Sequence, residues 1–491
     1  MATPQINIKL DHRHFVDEAS VIVFQEDGVV YALDTRTKAL IGQSQDGSMV
    51  IQKAIEFVKN GGEITIKEGK YILSSKITIP YDKIRIRGCG LSTILVDNVV
   101  SDHLIAVRKP DGSVISGVEI SDLRIECNVA KTTGDEINLH NLFVGRVENV
   151  FIEGNAKALN GLYITYGNNI FIDNVRIYNV KGNAVVFNGN NDVYFHKIII
   201  DNPANPKAQD GFCILRSEGS LYIVDSDIIN CRYGIIFSCW GNIIWTWIIN
   251  TAVDNCTKCI VFPAPYTPGC YVAGCYFIGG WASSADAYNI AIENGAILSD
   301  VKFIDMRSYN ANCSGIYIGP ANITGLVEFI NCTFASNSRE RTNFHHGVFF
   351  ESGAGKVKFV NCVARNDPKL GTGTQGYGIF FNGPVSDVYI IECDLRGNGI
   401  GAIGNPQHLS GRVVHTLGYD TENSGVATIS AGSTRVTVSH GLISAPSKVL
   451  ITPLGQPAGK LWVENITSTS FDIVTDTAPT SNLNIAWRAE V

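Results

Sequence analysis

The sequence has no apolar run of membrane-spanning length, no basic stripe and no apolar leader core, and each absence removes a class of function. Without roughly 20 consecutive apolar residues no helix crosses a bilayer, so membrane insertion is not expected. The 39 Lys and Arg stand against 46 Asp and Glu, with net charge −7 and pI near 5.8. No surplus of cations exists to release counterions from phosphates, which argues against nucleic acid as a partner. The N-terminal segment lacks the apolar h-region of a secretory signal, so no signal peptide is expected. Metal motifs are equally thin: Cys256 and Cys259 make a lone CxxC with no second pair and no His beside it, and zinc is not expected.

What the chain does have is a period. Short Gly-led apolar strands return at 161–164, 184–187, 211–214, 234–237, 259–262, 289–292, 315–318, 347–350 and 378–381. Side chains alternate in a strand, so Leu162, Val185, Phe212, Ile235, Ile260, Ile290, Ile316, Val348 and Ile379 face one way, and stacked coil on coil they build a continuous core. A second apolar strand follows each (170–177, 193–200, 221–228, 301–307, 327–334, 357–364, 388–395), with Asn and Gly at the junctions. Asn and Gly tolerate the left-handed backbone that tight turns between flat sheets demand. The returns are too short and too β-branched for helical arms, which excludes leucine-rich repeats, and propellers need four strands per repeat. The expectation is an all-β protein, a right-handed parallel β-helix of roughly eleven coils.

Thirteen cysteines is an odd number, and several recur after Asn, as in Asn230-Cys231, Asn255-Cys256, Asn331-Cys332 and Asn361-Cys362. A residue recurring at one register of a solenoid stacks as a ladder, so these thiols read as small buried hydrophobes, reduced and structural. Residues 1–45 carry a β-hairpin (21–24 with 29–33). Residues 46–60, led by Asp46 and stopped by Gly61-Gly62, have helical periodicity and would cap the open first coil. The β-helix is assigned to 46–420. From 421 to 491 short alternating strands with Ser, Thr and Pro turns indicate a small antiparallel β-sandwich.

The helix VIQKAIEFV at 50–58, EITIKEGKYIL at 63–73 and KIRIRGCGLSTIL at 83–95 resemble the N-terminal signature of the pectate-lyase-like superfamily, which includes polygalacturonases, polysaccharide lyases and viral tailspikes. The resemblance implies the β-helix and a carbohydrate polymer as ligand, and it leaves the chemistry open. The C-terminal segment is similar to small modules on tail-fibre proteins that trimerise or bind sugars. His345-His346-Gly347 and Asp210-Gly211 are partly similar to polygalacturonase motifs. The Asp-Asp pair one coil after Asp210 is missing, where Tyr233 sits, and no Arg-Ile-Lys triplet follows the histidines. That active site is therefore not carried over.

Coil length points to a groove. Spacings between equivalent residues run 23, 27, 23, 25, 30, 26, 32 and 31, and the excess falls in one junction, at 201–210, 281–288, 335–346 and 365–377. Loops from one junction project from one edge and wall a groove along the axis. They supply candidate catalytic groups Glu340, Asp367, His345, His346 and Asp210, and candidate substrate-binding groups Trp281, Asp286, Arg339, Arg341 and Lys369. Hydrolysis takes two carboxyl groups, and successive rungs about 4.8 Å apart place equivalent residues side by side. Lysis takes a base beside the uronate carbon plus Arg, Lys or a divalent cation such as calcium on the carboxylate. No cofactor is otherwise implied. A second cluster is the column Asp173, His196 and Asp225, and a third is the aromatic group Trp240, Trp245, Trp247, Tyr266, Tyr271 and Trp281. The outward row Cys213, Ile236, Val261, Ala291, Tyr317, Phe349 and Phe380 is apolar and would be buried in a homotrimer or under a terminal segment. Three readings stand: a tailspike-like virion-surface protein that binds and cleaves a polysaccharide, an extracellular polysaccharide lyase or glycosidase, and a non-catalytic adhesive fibre.

Overall fold

The computed structural model describes residues 19–203, 207 and 209–491. Part of the expected N-terminal segment and of the 201–210 insertion lies outside these. The chain winds into a parallel β-solenoid of about 13 turns, two more than the repeat count suggested, because the coils before residue 160 hold the register without the Gly-led phrase.

Stacking is in strict register. Ile137, Leu162, Val185, Phe212, Ile235, Ile260, Ile290, Ile316, Val348 and Ile379 pair in sequence along the first sheet, and each is at most 1% exposed. In the second sheet Phe277, Phe303, Phe329 and Phe359 form an inner stack with centroid spacings of 4.6, 4.7 and 5.1 Å. The coils between residues 168 and 365 each carry a third strand that the periodicity merged with the second. Asn168–Asp173 and Arg176–Tyr178, for example, are separate strands. Asn174 between them has φ +49°, and Asp225, Asn250, Asp305, Asn331, Asn361 and Glu392 repeat the left-handed turn in later coils. Asn side chains of adjacent turns bond to one another, as in Asn361 Nδ2 to Asn331 Oδ1 at 2.9 Å.

The Asn–Cys recurrences belong to two different turns. Cys231 and Cys256 follow the third strand, whereas Cys332, Cys362 and Cys393 follow the second. Among the described residues every cysteine is free.

Helix Gly47–Phe57 closes the first coil. Asp46 Oδ1 accepts the Ser48 N–H at 2.9 Å, and Val50, Ile51, Ala54 and Ile55 are buried. Gln52 accepts the Thr78 N–H at 2.9 Å and donates to the Thr78 carbonyl at 3.1 Å. It thus satisfies backbone groups on the open edge of the strand Ile77–Ile79. At the other end two three-stranded antiparallel sheets pack as a sandwich around Phe471, Ile473, Ile485 and Trp487.

The outward row of the first sheet is not the exposed stripe expected. Cys213, Ile236, Val261 and Ala291 are at most 7% exposed, and Tyr163 and Tyr233 pack on a cluster formed by the first three with Val186 and Leu215. Only Tyr317, Phe349 and Phe380 remain partly open. The flanking large side chains cover the row within one chain, so its apolarity does not itself demand a partner.

Candidate functional site: a loop-walled cavity on one edge of the rod

The long junctions do stack on one edge. An amide chain buried inside them holds the stack: Asn289 Nδ2 faces Asn337 Oδ1 at 3.4 Å, Asn337 Nδ2 donates to Gln375 Oε1 at 3.2 Å, and Gln375 Nε2 donates to Asn398 Oδ1 at 2.8 Å. Asn289, Asn337 and Gln375 are 0% exposed, so each amide lies where leaving it unpaired is costly. Further bonds tie loop to loop, including Asn343 N–H to Thr374 O and Gly376 N–H to His345 O.

Between these loops and the first sheet opens a cavity of about 500 Å³, walled by Tyr288, Phe344, His345 and Tyr377 and floored by His346, Phe349 and Phe380. His346 is 6% exposed. Its ring stacks on Phe380 at 4.3 Å, and its Nδ1 accepts the Tyr377 N–H at 3.4 Å. Burial, with a smaller contribution from His345, depresses its pKa to about 4. The imidazole is therefore neutral near pH 7 and forms part of the floor. His345 is half-buried and also shifted down, by burial first, with Glu340 opposing and Arg341 reinforcing.

Glu340, His345 and Cys313 bring a carboxylate oxygen, a ring nitrogen and a thiol sulfur within 4.8 Å of one another. Arg339 Nε donates to Asn312 Oδ1 at 2.6 Å, and Arg341 lies over the ring of Phe344, a wall residue, at 5.0 Å.

The other candidates lie apart. Asp367 caps its own turn, accepting the Lys369 N–H at 3.0 Å and facing Arg365 at 3.5 Å. Lys369 is exposed on the same loop. Asp210 is 3% exposed in a two-pronged ion pair with Arg232, at 2.8 and 2.7 Å. It sits five rungs, about 24 Å, from the His346 coil. Asp286 pairs with Lys207 at 2.9 Å and so ties two insertions together. Trp281 belongs to no loop: it begins the third-sheet strand Trp281–Ser283, between Ala252 and Arg307.

On the second sheet His196 Nδ1 lies 2.7 Å from Asp173 and its Nε2 3.5 Å from Asp225. Register aligns His196 with Val224 rather than Asp225. Asp225 occupies the left-handed turn and reaches His196 from there. The aromatic group separates into three. Trp240 and Tyr266 stack at 4.9 Å, 52% and 72% exposed, beside a 380 Å³ cleft with Arg216 and Glu218. Trp245 and Trp247 lie on the outer face of the second sheet, and Trp281 on the third.

The sequence reading missed the outer ladder Phe171, Tyr194, Tyr222, Trp247 and Tyr276, whose consecutive centroids are 5.0, 4.7, 4.9 and 6.0 Å apart. The signal was present, since all five precede an inner apolar residue by one position. It became visible only once the register was fixed.

No protein-family model matches the sequence, and no characterised protein matches it by sequence. Among solved structures, the chain is similar to the tailspike protein of E. coli bacteriophage HK620 in complex with a pentasaccharide, with TM-score 0.54 and 10% identity over 91% of this chain and 90% of that one. The A-module of the mannuronan C-5 epimerase AlgE4 of Azotobacter vinelandii overlaps with TM-score 0.42 and 15% identity, over 76% of this chain and 97% of that one. The chain has the right-handed parallel β-helix fold, expected from its repeat and shared with that tailspike.

Proposed function

We propose that this chain is a tailspike-like surface protein that binds a cell-surface polysaccharide in the loop-walled cavity and depolymerises it. One observation carries the reading: the solenoid presents an aromatic-floored cavity with His345 in its wall, and the exposed Glu340 carboxylate lies within 4.8 Å of a His345 ring nitrogen, between the exposed Arg339 and Arg341 in sequence. Sugar rings have apolar faces that pack on aromatic floors, and acidic sugars take Arg at the edge. Glu340 is the acid or base for the glycosidic oxygen or the ring proton, with His345 as its proton partner. The sugar bound by the HK620 tailspike supports the ligand class. A virion-surface location and a homotrimer belong to the same reading.

The test is incubation with bacterial capsular and plant acidic polysaccharides, followed by reducing ends and by the absorbance of unsaturated uronate. Wild type should release oligosaccharides, and Glu340→Gln should lower turnover by about 10²–10⁴-fold. Equal turnover in both would remove Glu340 from the chemistry. A non-catalytic adhesive is the second reading, favoured by Asp210 and Asp367 already being engaged in structural contacts. Binding without cleavage by any polymer of the panel would select it.

A further inference from the structure

Away from the cavity, three ionisable side chains meet inside the solenoid near its N-terminal end. Asp97 ends the strand Thr93–Asp97, Glu136 lies in Asp135–His140, and Lys131 sits on the turn between Ile115–Cys127 and that strand with its side chain turned inward. Lys131 and Asp97 side chains are both 0% exposed, with Nζ 2.7 Å from Oδ2. That contact lacks hydrogen-bond geometry at Oδ2. Nζ instead directs its hydrogens at the carbonyls of Asp102, at 2.8 Å, and Val99, at 3.2 Å. Asp97 Oδ1 is held separately by the Val99 N–H at 2.7 Å.

Glu136 is 0% exposed, and neither of its carboxyl oxygens has a hydrogen-bond partner among the described residues. Its carboxyl lies within 4.8 Å of the Asp97 carboxyl and of Cys127 Sγ. The ammonium against Asp97 would repel a metal cation from the same place, so this is not a cation site.

An amine held against a carboxyl group, in a dry site with a second carboxyl beside it, is the arrangement that amide condensation needs. We propose that Lys131 and Asp97 join in an intramolecular isopeptide bond, with Glu136 as the proton carrier. In the first step Lys131 passes one proton to Asp97, which leaves an amine lone pair facing a carboxylic acid. The Nζ lone pair then attacks Asp97 Cγ and the C–N bond forms. Glu136 gives its proton to the departing Oδ2 hydroxyl and takes one from Nζ on its other oxygen. The C–Oδ2 bond breaks, one water leaves, and Glu136 ends as it began. No oxidant or cofactor enters.

Burial, and next the charge of Asp97, raise the Glu136 pKa well above the carboxylate range, so it holds the proton this relay requires. Burial likewise pushes the Cys127 thiol up, and its Sγ donates to the Val129 carbonyl, so no thiolate competes for Cγ. In the product Oδ1 still accepts from Val99, and the one remaining Nζ–H still reaches Asp102. The bond would close the chain between residues 97 and 131 across successive coils.

The experiment is the intact mass of the purified full chain, denatured and reduced, followed by proteolysis and peptide sequencing by mass spectrometry. Wild type should weigh one water less than its sequence requires and yield a branched peptide joining the segments of Asp97 and Lys131. Glu136→Gln and Lys131→Met should show the full sequence mass. If either variant fails to fold, the wild-type measurement decides alone. A wild-type mass equal to the sequence value after prolonged incubation at neutral pH overturns the proposal, and so does a water deficit without the branched peptide.

Discussion

At the scale of single residues, burial separates side chains that look alike in sequence. His345 and His346 are adjacent, yet one lies at a wall beside Glu340 while the other lies flat in the floor between aromatic rings. For His346 the folded pKa of about 4 lies below the ordinary 6.5. The unfolded chain therefore binds more protons between these values, and stability falls as pH drops from 6.5 toward 4. The full difference corresponds to about 3 kcal/mol. His346→Phe should remove this part of the slope while keeping the ring stack. Denaturant midpoints measured at pH 7 and pH 4.5 would show it, and an unchanged slope would place the proton elsewhere. Asp210 teaches the same lesson in reverse. Its Asp-Gly strand entry suggested catalysis, but its bidentate partner Arg232 is ordinary ion-pair chemistry that sequence spacing does not display.

At the scale of elements, the helix cap and the aromatic ladder do different work. Gln52 supplies both a donor and an acceptor to Thr78, so Gln52→Ala leaves two backbone groups at a strand edge short of partners. The expected cost is about 1–3 kcal/mol, read as faster unfolding in denaturant, and faster hydrogen exchange confined to the first coils. In the outer ladder Tyr222 lies between Tyr194 and Trp247, nearly parallel to both, at 1° and 12°. Interior rings of such a stack have both faces covered, which leaves only edges for a sugar. Tyr222→Ala should therefore destabilise by about 1–3 kcal/mol, for two lost ring pairs, without weakening polysaccharide binding. Loss of binding with stability unchanged would make the ladder a ligand surface.

At the scale of the whole molecule, the outer face of the second sheet carries a half-buried apolar row, Val224, Ile249, Ile278, Ile304, Ile330 and Val360, aligned by register over six rungs. If the rods associate as proposed, this is the row that would be covered, rather than the first-sheet row, whose residues Cys213, Ile236, Val261 and Ala291 are already buried within one chain. Light scattering should then give a mass close to three times the 53.3 kDa chain, and Ile278→Asp with Ile304→Asp should return it to one. A single-chain mass for wild type ends the trimer reading.

The repeat, the facing of its apolar positions, the capping helix and the C-terminal sandwich were legible in the sequence. Each follows from local rules: alternation along a strand, 3.6-residue periodicity, and the left-handed tolerance of Asn and Gly. What the sequence left open was which residues become neighbours across rungs. A left-handed residue, Asn, Asp or Gly in most coils, divided the second strand from a third, so that Trp281 lies in a sheet rather than a loop and Asp225 stands one place from the register partner of His196. The cavity, the amide chain beneath it and the Lys131–Asp97–Glu136 cluster join residues separated by dozens of positions. Only the winding of the chain sets those distances, because contact between coils depends on the summed length and turn geometry of every coil between them.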